Sequence, residues 1–281
     1  MKPSPGCLVL ALTALAALAP VPASDAQTLG GATSGASSVA VTLSLPGGFA
    51  AEVTVSFESV TGLSLASLGL TARVIDPQDP ALLARLPAGT SIPAGFPVLL
   101  RIEPPAAGGL AFHGIATIDL HTENLQYASG CPLRLFAAPL DGPFADITDG
   151  MGAGSYRVRG TRGGFSEFLL VADLRPLDQV IAAKLDRLQQ TLDANAGALP
   201  AALYSDLTAR LAATRSDIGR GDAEDAIHDL DLFLSTVVQH SGTDIPDLWR
   251  ASRDVVDVAG LLRAGGRTLR FSLALQADLG S

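Results

Sequence analysis

Cysteine is scarce in this chain of 281 residues, which contains only Cys7 and Cys131. Cys7 lies in a segment that we predict is removed from the mature protein, which would leave Cys131 without an intramolecular disulfide partner. No basic residue stands within two positions of Cys131 to favour a reactive thiolate. We therefore expect Cys131 to be a buried small thiol, with an intermolecular disulfide as the alternative.

Aromatic and basic side chains are also few. The chain has one Trp and three Tyr, and its 19 Lys and Arg are outnumbered by 28 Asp and Glu, for a formal net charge of -9. Nucleic-acid binding needs a basic stripe that neutralises phosphates, so we predict no nucleic-acid partner. Because Trp249 falls on an apolar stripe, we expect it in a core rather than on a sugar-binding surface.

Recognisable catalytic and cofactor motifs are missing as well. No serine lies in a nucleophile elbow and no His-Glu-x-x-His sequence occurs. We predict no catalytic residue, no cofactor-binding residue and no cofactor. A Ser-His-Asp hydrolase stays open as an alternative, because such a triad is defined by spatial geometry that a sequence does not reveal.

The N-terminus has the pattern of a secretory signal peptide. Lys2 provides a positive charge, residues 8–18 are continuously apolar, and small residues offer cleavage after Ala23 or Ala26. The apolar run is too short to span a bilayer, and no later run is longer. We predict a signal peptide over 1–26 and a mature chain without a transmembrane segment, located in the periplasm or outside the cell.

The spacing of apolar residues changes near Pro176, and this change divides the mature chain into two parts. Residues 27–38 are rich in Gly, Ser, Thr and Ala, which predicts a flexible leader. Over 39–173, short segments of period two are separated by Gly and Pro, which is typical of an antiparallel sandwich. We predict an α+β, two-domain fold whose N-terminal domain is an all-β, immunoglobulin-like sandwich over 39–173.

After Pro176 apolar residues recur with helical period. Four amphipathic segments predict a small four-helix domain over 176–266, with the fourth helix running from Pro246 to Gly265-Gly266. Residues 267–281 alternate again, with Leu269, Phe271, Leu273 and Leu275 on one side. This alternation predicts a C-terminal strand and tail that pairs with the sandwich.

Two resemblances accompany these patterns. The β part resembles an uncharacterised, secreted bacterial family through residues 92–98 (IPAGFPV), 120–125 (LHTENL), 154–160 (GSYRVRG) and 165–168 (FSEF). The helical part resembles FIMAH-type modules through the spacing of Leu203, Gly221, Asp222, Ala226, Leu230, Phe233, Val237, Gly242 and Ile245. The first resemblance implies an extracytoplasmic compartment and a sandwich fold, and the second implies an accessory role.

Asp119, His121 and Glu123 alternate along one predicted strand, so their side chains share a face. Imidazole and carboxylate groups are zinc ligands, which makes these three residues the candidate metal site. Polar residues also fill the outward face of any half-buried strand. We take the latter interpretation and predict no metal.

Residues Asn124, Gln126 and Tyr127 form the candidate ligand loop, since Tyr127 is the best placed aromatic residue for an exposed position. The sequence predicts a non-catalytic protein of the cell envelope or exterior that acts as a binding or scaffolding module. Its expected partner is an envelope or extracellular protein or a glycan. The alternatives are a carbohydrate-binding accessory protein and an extracytoplasmic hydrolase.

Overall fold

The computed structural model describes residues 28–128, 130–152 and 154–280. Within these residues the chain forms thirteen strands, which are β1 Thr28–Ser34, β2 Ser38–Leu45, β3 Phe49–Thr61, β4 Leu70–Val74, β5 Thr90–Ser91, β6 Val98–Ile102, β7 Ala111–Gln126, β8 Leu133–Ala138, β9 Ala145–Asp146, β10 Thr148–Gly152, β11 Ser155–Arg162, β12 Glu167–Asp173 and β13 Trp249–Arg250. The helices are α1 Leu65–Leu68, α2 Pro80–Leu83, α3 Leu177–Ala194, α4 Ala201–Arg220, α5 Ala223–His240 and α6 Val258–Gly280.

The strands form two antiparallel sheets. The first has the order β1-β2-β3-β7-β11-β10, with β13 added to β7, and the second has the order β4-β6-β12-β8-β9, with β5 added to β12. Alternating apolar residues of both sheets meet in one core, as the burial of Val41, Val53 and Ile118 from the first sheet with Leu100 and Phe168 from the second illustrates. The predicted α+β architecture, with two antiparallel sheets before a helical region, is confirmed.

The four long helices share a second core. Its residues follow helical spacing, for example Leu185, Leu188 and Leu192 on α3 and Leu230, Phe233 and Val237 on α5. Asp222 caps α5 by accepting a hydrogen bond from the Asp225 backbone N–H at 3.2 Å, as its position before the apolar stripe predicts. No helix of the described residues is long and apolar enough to cross a membrane.

The prediction of a flexible leader over 27–38 is wrong for its larger part. Residues Thr28–Ser34 form β1, which pairs antiparallel with β2 and carries an irregularity between Gly30 and Ala32. A strand at a sheet edge is held by backbone hydrogen bonds, so it needs few apolar side chains. The predicted signal peptide, both cleavage sites and Gln27 lie outside the described residues.

The prediction of a C-terminal strand over 267–281 is also wrong, because this segment continues helix α6 to Gly280. Leu269 and Leu273, four residues apart, are buried with Leu262, which lies one heptad earlier. Residues that alternate along the chain therefore include pairs four residues apart, and such pairs lie on one face of a helix. Gly265 and Gly266 do not end the helix; a Cβ at Gly266 would lie 2.6 Å from Leu234 Cδ2, so glycine permits close packing of α6 on α5.

The fourth helix does not begin at Pro246. Residues 246–257 are irregular apart from β13, in which Trp249 pairs with Phe112 of β7. The Trp249 ring stacks on the Phe112 ring with centroids 5.2 Å apart. Trp249 is therefore a core residue, as predicted, but of the two-sheet half, and the chain returns to the sheet before α6 starts.

Helix α6 fastens the helices to the first sheet. Arg263 binds Glu58 of β3 through two hydrogen bonds of 2.7 and 2.6 Å. One turn later Arg267 Nε lies 3.1 Å from Asp149 Oδ2 of β10, and the Thr268 hydroxyl donates to the Thr148 carbonyl at 2.8 Å. These contacts follow the helical repeat, so one face of α6 lies along the sheet.

Backbones touch where α6 begins. A Cβ at Gly163, after β11, would lie 2.5 Å from the Leu261 backbone nitrogen, and one at Gly260 would lie 2.5 Å from the Gly114 carbonyl oxygen. No larger residue fits such distances without moving a backbone. We call this junction between the helices and the sheets the seam.

Candidate functional site

The proposed metal candidates share the outward face of β7, as their alternation predicts. Asp119 pairs with Arg159 of the neighbouring strand, Oδ1 to Nε, at 3.1 Å, and Glu123 is exposed. Among residues 28–128, 130–152 and 154–280, no group of three or more His, Cys, Asp or Glu is arranged to hold a metal ion. The three side chains thus share a face without converging on a common point.

His121 instead takes part in a three-residue arrangement that we call the outer-face network. Its Nε2 lies 2.6 Å from Ser155 Oγ of β11, and its Nδ1 lies 3.2 Å from Glu52 Oε2 of β3. A tautomer with Nδ1–H donating to Glu52 leaves Nε2 free to accept the serine proton, which is the order of groups in a serine-histidine-acid triad. Sequence analysis missed it because 34 and 69 residues separate His121 from its partners.

The outer-face network lies on an open sheet surface. The Glu52 side chain is 67% exposed, while the His121 side chain is 19% exposed. Oxyanion stabilisation works best in a water-excluded site, and Ser155 lines neither of the two cavities described below. The outer-face network therefore has its groups in the order that proton transfer in a serine hydrolase requires, but it has no enclosed site for a substrate.

Most residues of the proposed ligand loop make contacts within the protein. Asn124 Oδ1 accepts from the Ala50 backbone N–H at 2.9 Å, and its Nδ2 donates to the Gly48 carbonyl at 3.2 Å. Tyr127 is half-buried and packs against the sandwich core, whereas Gln126 is exposed. Asn124 thus holds the end of β7 to the β2–β3 turn, and Tyr127 is partly used in packing.

Aromatic side chains elsewhere are also withdrawn from solvent. Every Trp, Tyr and Phe of the chain is buried or half-buried. Sugar recognition through stacking needs an exposed ring face. The alternative of carbohydrate binding gains no support from these positions.

The seam contains a cavity of about 800 Å³, which we call the seam cavity. The end of β11 and the residue after it form one wall, and α3 and α6 form the opposite walls. The segment between β8 and β10 forms the rim. Ligand pockets in proteins commonly enclose about 300–1,000 Å³, so the seam cavity has the size of a small-molecule site.

A buried ion pair holds the walls of the seam cavity. Lys184 Nζ of α3 lies 2.7 Å from Asp146 Oδ2 of β9, and it donates to the Thr268 carbonyl at 3.1 Å and to Ser272 Oγ at 2.8 Å on α6. Burial lowers the pKa of Lys184, and the Asp146 carboxylate opposes that shift. Through this ion pair and these two hydrogen bonds, Lys184 joins the sheet, α3 and α6.

Two further ionisable groups of the lining are paired. Arg175 binds Asp173 with an Nη2–Oδ2 distance of 2.6 Å, and Asp186 Oδ1 lies 2.8 Å from Arg215 Nη2. Together with the pair of Lys184 and Asp146, these contacts neutralise four of the six ionisable residues that line the seam cavity. The remaining two are Arg162 and Arg187.

Arg162 and Arg187 have no carboxylate within ion-pair distance among the residues that the structure describes. The Nε of Arg162 is buried without a hydrogen-bond partner, and its Nη2 reaches only the Ser166 hydroxyl at 3.5 Å. Burial, and to a lesser extent the positive charge of Arg187, lowers the pKa of Arg162 to about 10. Both side chains remain cationic at neutral pH.

A smaller cavity of about 300 Å³ lies on the other side of Arg162, Gly163 and Leu261, which line both spaces. Asp257, immediately before α6, lines it as well. Its Oδ1 accepts from the Gly260 backbone N–H at 2.8 Å, while its Oδ2 is buried without a partner. Burial raises the pKa of Asp257 to about 7.

Arg162 did not stand out in the sequence among the 19 Lys and Arg. A signal was nevertheless present in β11, where Tyr156, Val158 and Gly160 alternate as buried positions and Thr161 is buried as well. Arg162 has the same parity and hence continues the inward face. A charged residue at an inward position is costly without a partner, which marks it as a candidate functional residue.

Comparison with known proteins gives a family. The model of a family of unknown function, DUF6689, matches residues 11–277. The match spans both sheets and nearly all of α6, so it includes the seam and its two cavities. No curated protein matches the chain.

Proposed function

For a chain that belongs to the family of unknown function DUF6689, we propose the role of a non-catalytic binding protein that takes a small molecule into the seam cavity. The observation that carries this proposal is the unpartnered Arg162 in the wall of an 800 Å³ cavity. A buried polar group without a partner is destabilising. Its presence in a cavity of ligand size is most simply explained by a partner that arrives from outside.

The walls of the seam cavity support binding without large rearrangement. The buried pair of Lys184 and Asp146 and the backbone contact of Gly163 with Leu261 hold the walls at fixed positions. A preformed pocket spends less free energy on ordering when its ligand binds. Rigid walls around an open space therefore suit a receptor or carrier better than a scaffold that only needs an outer surface.

A matched pair of variants on α3 tests the seam cavity. Ala183 lines the cavity and Ala182 does not, although both are exposed. We expect some compounds of a small-molecule panel to raise the melting temperature of the wild type by mass action. The shift should vanish in Ala183→Trp, which fills the cavity, and persist in Ala182→Trp. Equal shifts in both variants, or no shift with any compound, would contradict the proposal.

We further propose that the protein is a secreted bacterial one that acts in the cell envelope or outside the cell. Support comes from the apolar run at 8–18 and the small residues before Ala23 and Ala26. Expressed with its native N-terminus in a bacterium, the protein should be recovered outside the cytoplasm with Ser24 or Gln27 as its first residue. An intact N-terminus in the cytoplasmic fraction would refute this part.

For the two halves we propose an immunoglobulin-like sandwich and a FIMAH-like accessory module. The two antiparallel sheets with a common core support the first assignment, and the spacing of apolar residues on α4 and α5 supports the second. An accessory module on a sandwich is consistent with recognition of an envelope or extracellular partner.

The outer-face network favours a second candidate function, that of a serine hydrolase with Ser155 as nucleophile, His121 as base and Glu52 as the group that orients it. A fluorophosphonate probe should label Ser155 if this function is correct, and the label should be absent in Ser155→Ala and in His121→Ala. The binding function predicts no labelling of the wild type. The two candidates are thus separated by one experiment.

A further inference from the structure

We propose that the ligand of the seam cavity carries an anionic oxygen group, a carboxylate or a phosphate, on an apolar body, and that Arg162 and Arg187 hold the anion. This inference rests on the proposed binding function and names the class of its ligand. It follows from the charge, the position and the surroundings of the two arginines.

The charge of the seam cavity is positive once its internal pairs are removed. Lys184 with Asp146 and the externally paired Arg175 and Asp186 contribute no free charge. Arg162 and Arg187 are left, each with a full positive charge. An anion is the partner that such a pair lacks.

The two arginines approach from different walls. Arg162 ends β11, and Arg187 lies in the middle of α3. Both line the seam cavity, and the charge of Arg187 is felt at Arg162, so an anion inside the cavity is attracted by both. The planar fork of guanidinium donors matches the oxygens of carboxylate and phosphate.

Arg187 is exposed over part of its side chain, whereas Arg162 is half-buried with its Nε closed off from solvent. Arg162 is thus the more buried of the two. A neutral ligand would leave its positive charge in the cavity wall without a counter-charge. We therefore assign Arg162 the larger share of anion recognition.

The rest of the lining is mostly apolar. Its non-polar members include Pro87, Pro139, Pro143, Phe144, Leu261 and Ala264. A free inorganic ion would leave these surfaces without contacts. An apolar body attached to the anion would bury them and use the volume that the anion does not fill.

The test compares four probes by isothermal titration calorimetry, which are octanoate, octyl phosphate, 1-octanol and inorganic phosphate. At least one of the two amphiphilic anions should bind the wild type at least tenfold more tightly than octanol and than inorganic phosphate. The preferred anion tells whether the natural group is a carboxylate or a phosphate. Arg162→Met should reduce its affinity at least tenfold, to the level of octanol, and Arg187→Met by about threefold to tenfold.

Two variants control for charge and folding. Arg210→Met removes a half-buried arginine of α4, which pairs with Asp206 away from the cavity, and should leave all affinities unchanged. Arg162→Lys keeps the charge but loses the fork, so it should fall between wild type and Arg162→Met. All variants should melt cooperatively within a few degrees of the wild type.

The outcomes separate the two proposals. Equal affinity for octanol and the anions, unaffected by Arg162→Met and abolished by Ala183→Trp, would overturn the anion inference and keep the binding function. Binding of any probe that survives Ala183→Trp would place it outside the seam cavity and overturn both. Failure of all four probes would overturn the anion inference, and the compound panel would then decide the binding function alone.

Discussion

The outer-face network and the seam cavity differ in how fully their polar atoms are partnered. Ser155, His121 and Glu52 satisfy one another on an open sheet. Arg162 lies in an enclosed space with its Nε unsatisfied. A complete network in solvent is explained by the fold alone, whereas an incomplete one in a cavity requires something further.

The physical basis of this contrast is the cost of desolvation. An exposed group loses little when a partner is absent, because water replaces it. A buried donor without a partner costs about 1–3 kcal/mol. The seam therefore combines strong internal contacts with buried polar atoms that lack hydrogen-bond partners, among them Arg162 Nε, and the following changes test each part.

The largest effect is expected from Lys184→Met. Removing one partner of a buried ion pair costs about 3–5 kcal/mol, because Asp146 would remain buried and charged. Urea unfolding should show this loss. The matched control Arg215→Met breaks the exposed pair with Asp186 and should cost about 1 kcal/mol or less. Similar losses in both variants would show that the buried pair of Lys184 and Asp146 stabilises the protein no more than the exposed pair does.

A smaller loss is expected from Gly163→Ala, because the added Cβ meets the backbone of Leu261 at 2.5 Å. Overpacking of this kind costs about 1–3 kcal/mol. Gly197→Ala serves as control, since nothing lies within 4 Å of a Cβ there. If thermal melting places both variants within half a degree of the wild type, the close seam contact is absent in solution.

Arg162→Met should change stability in the opposite direction. Because the arginine lacks a carboxylate partner, its replacement by an apolar side chain should stabilise the ligand-free protein by about 1 kcal/mol. Arg175→Met should instead destabilise it, since Asp173 is buried and would lose its partner. A loss of stability in Arg162→Met comparable to that of Arg175→Met would mean that Arg162 serves the fold.

The smallest effect is expected from His121→Ala. The exposed outer-face network should contribute about 1 kcal/mol or less to the free energy of unfolding. Chemical denaturation at pH 7 measures it directly. A loss above about 3 kcal/mol would show that the outer-face network is as tightly integrated as the buried pair of the seam.

The sequence predicted those elements whose periodicity reports burial. Val39 to Leu45 and Leu177 to Leu192 fall where their spacing indicates, because a half-buried strand or helix must repeat with its own period. The segment after Gly266 was wrongly predicted as a strand. Leucines at every second position also include a pair four residues apart, and such a pair lies on one face of a helix. Helix α6 packs against Leu234, which is distant in sequence, so the local pattern of apolar residues does not report the contact.

The site was harder to predict than the fold. Candidate residues chosen by local spacing, such as Asp119 and Glu123, do not converge, because neighbours on one strand face need not meet. Arg162 and Arg187 belong to elements on opposite sides of Pro176. They line the same cavity only because α3 packs beside the end of β11, a tertiary arrangement that no local pattern reports.

The central claim is that the seam, and not the outer sheet face, receives the ligand. Backbone amide NMR of the labelled protein during titration with octyl phosphate tests it most directly. The account predicts saturable shifts that are largest at Thr161 to Gly163 and at Lys184 to Thr191, with Ser155 and His121 unaffected. Shifts centred on Ser155 and His121, or none that saturate, would contradict it.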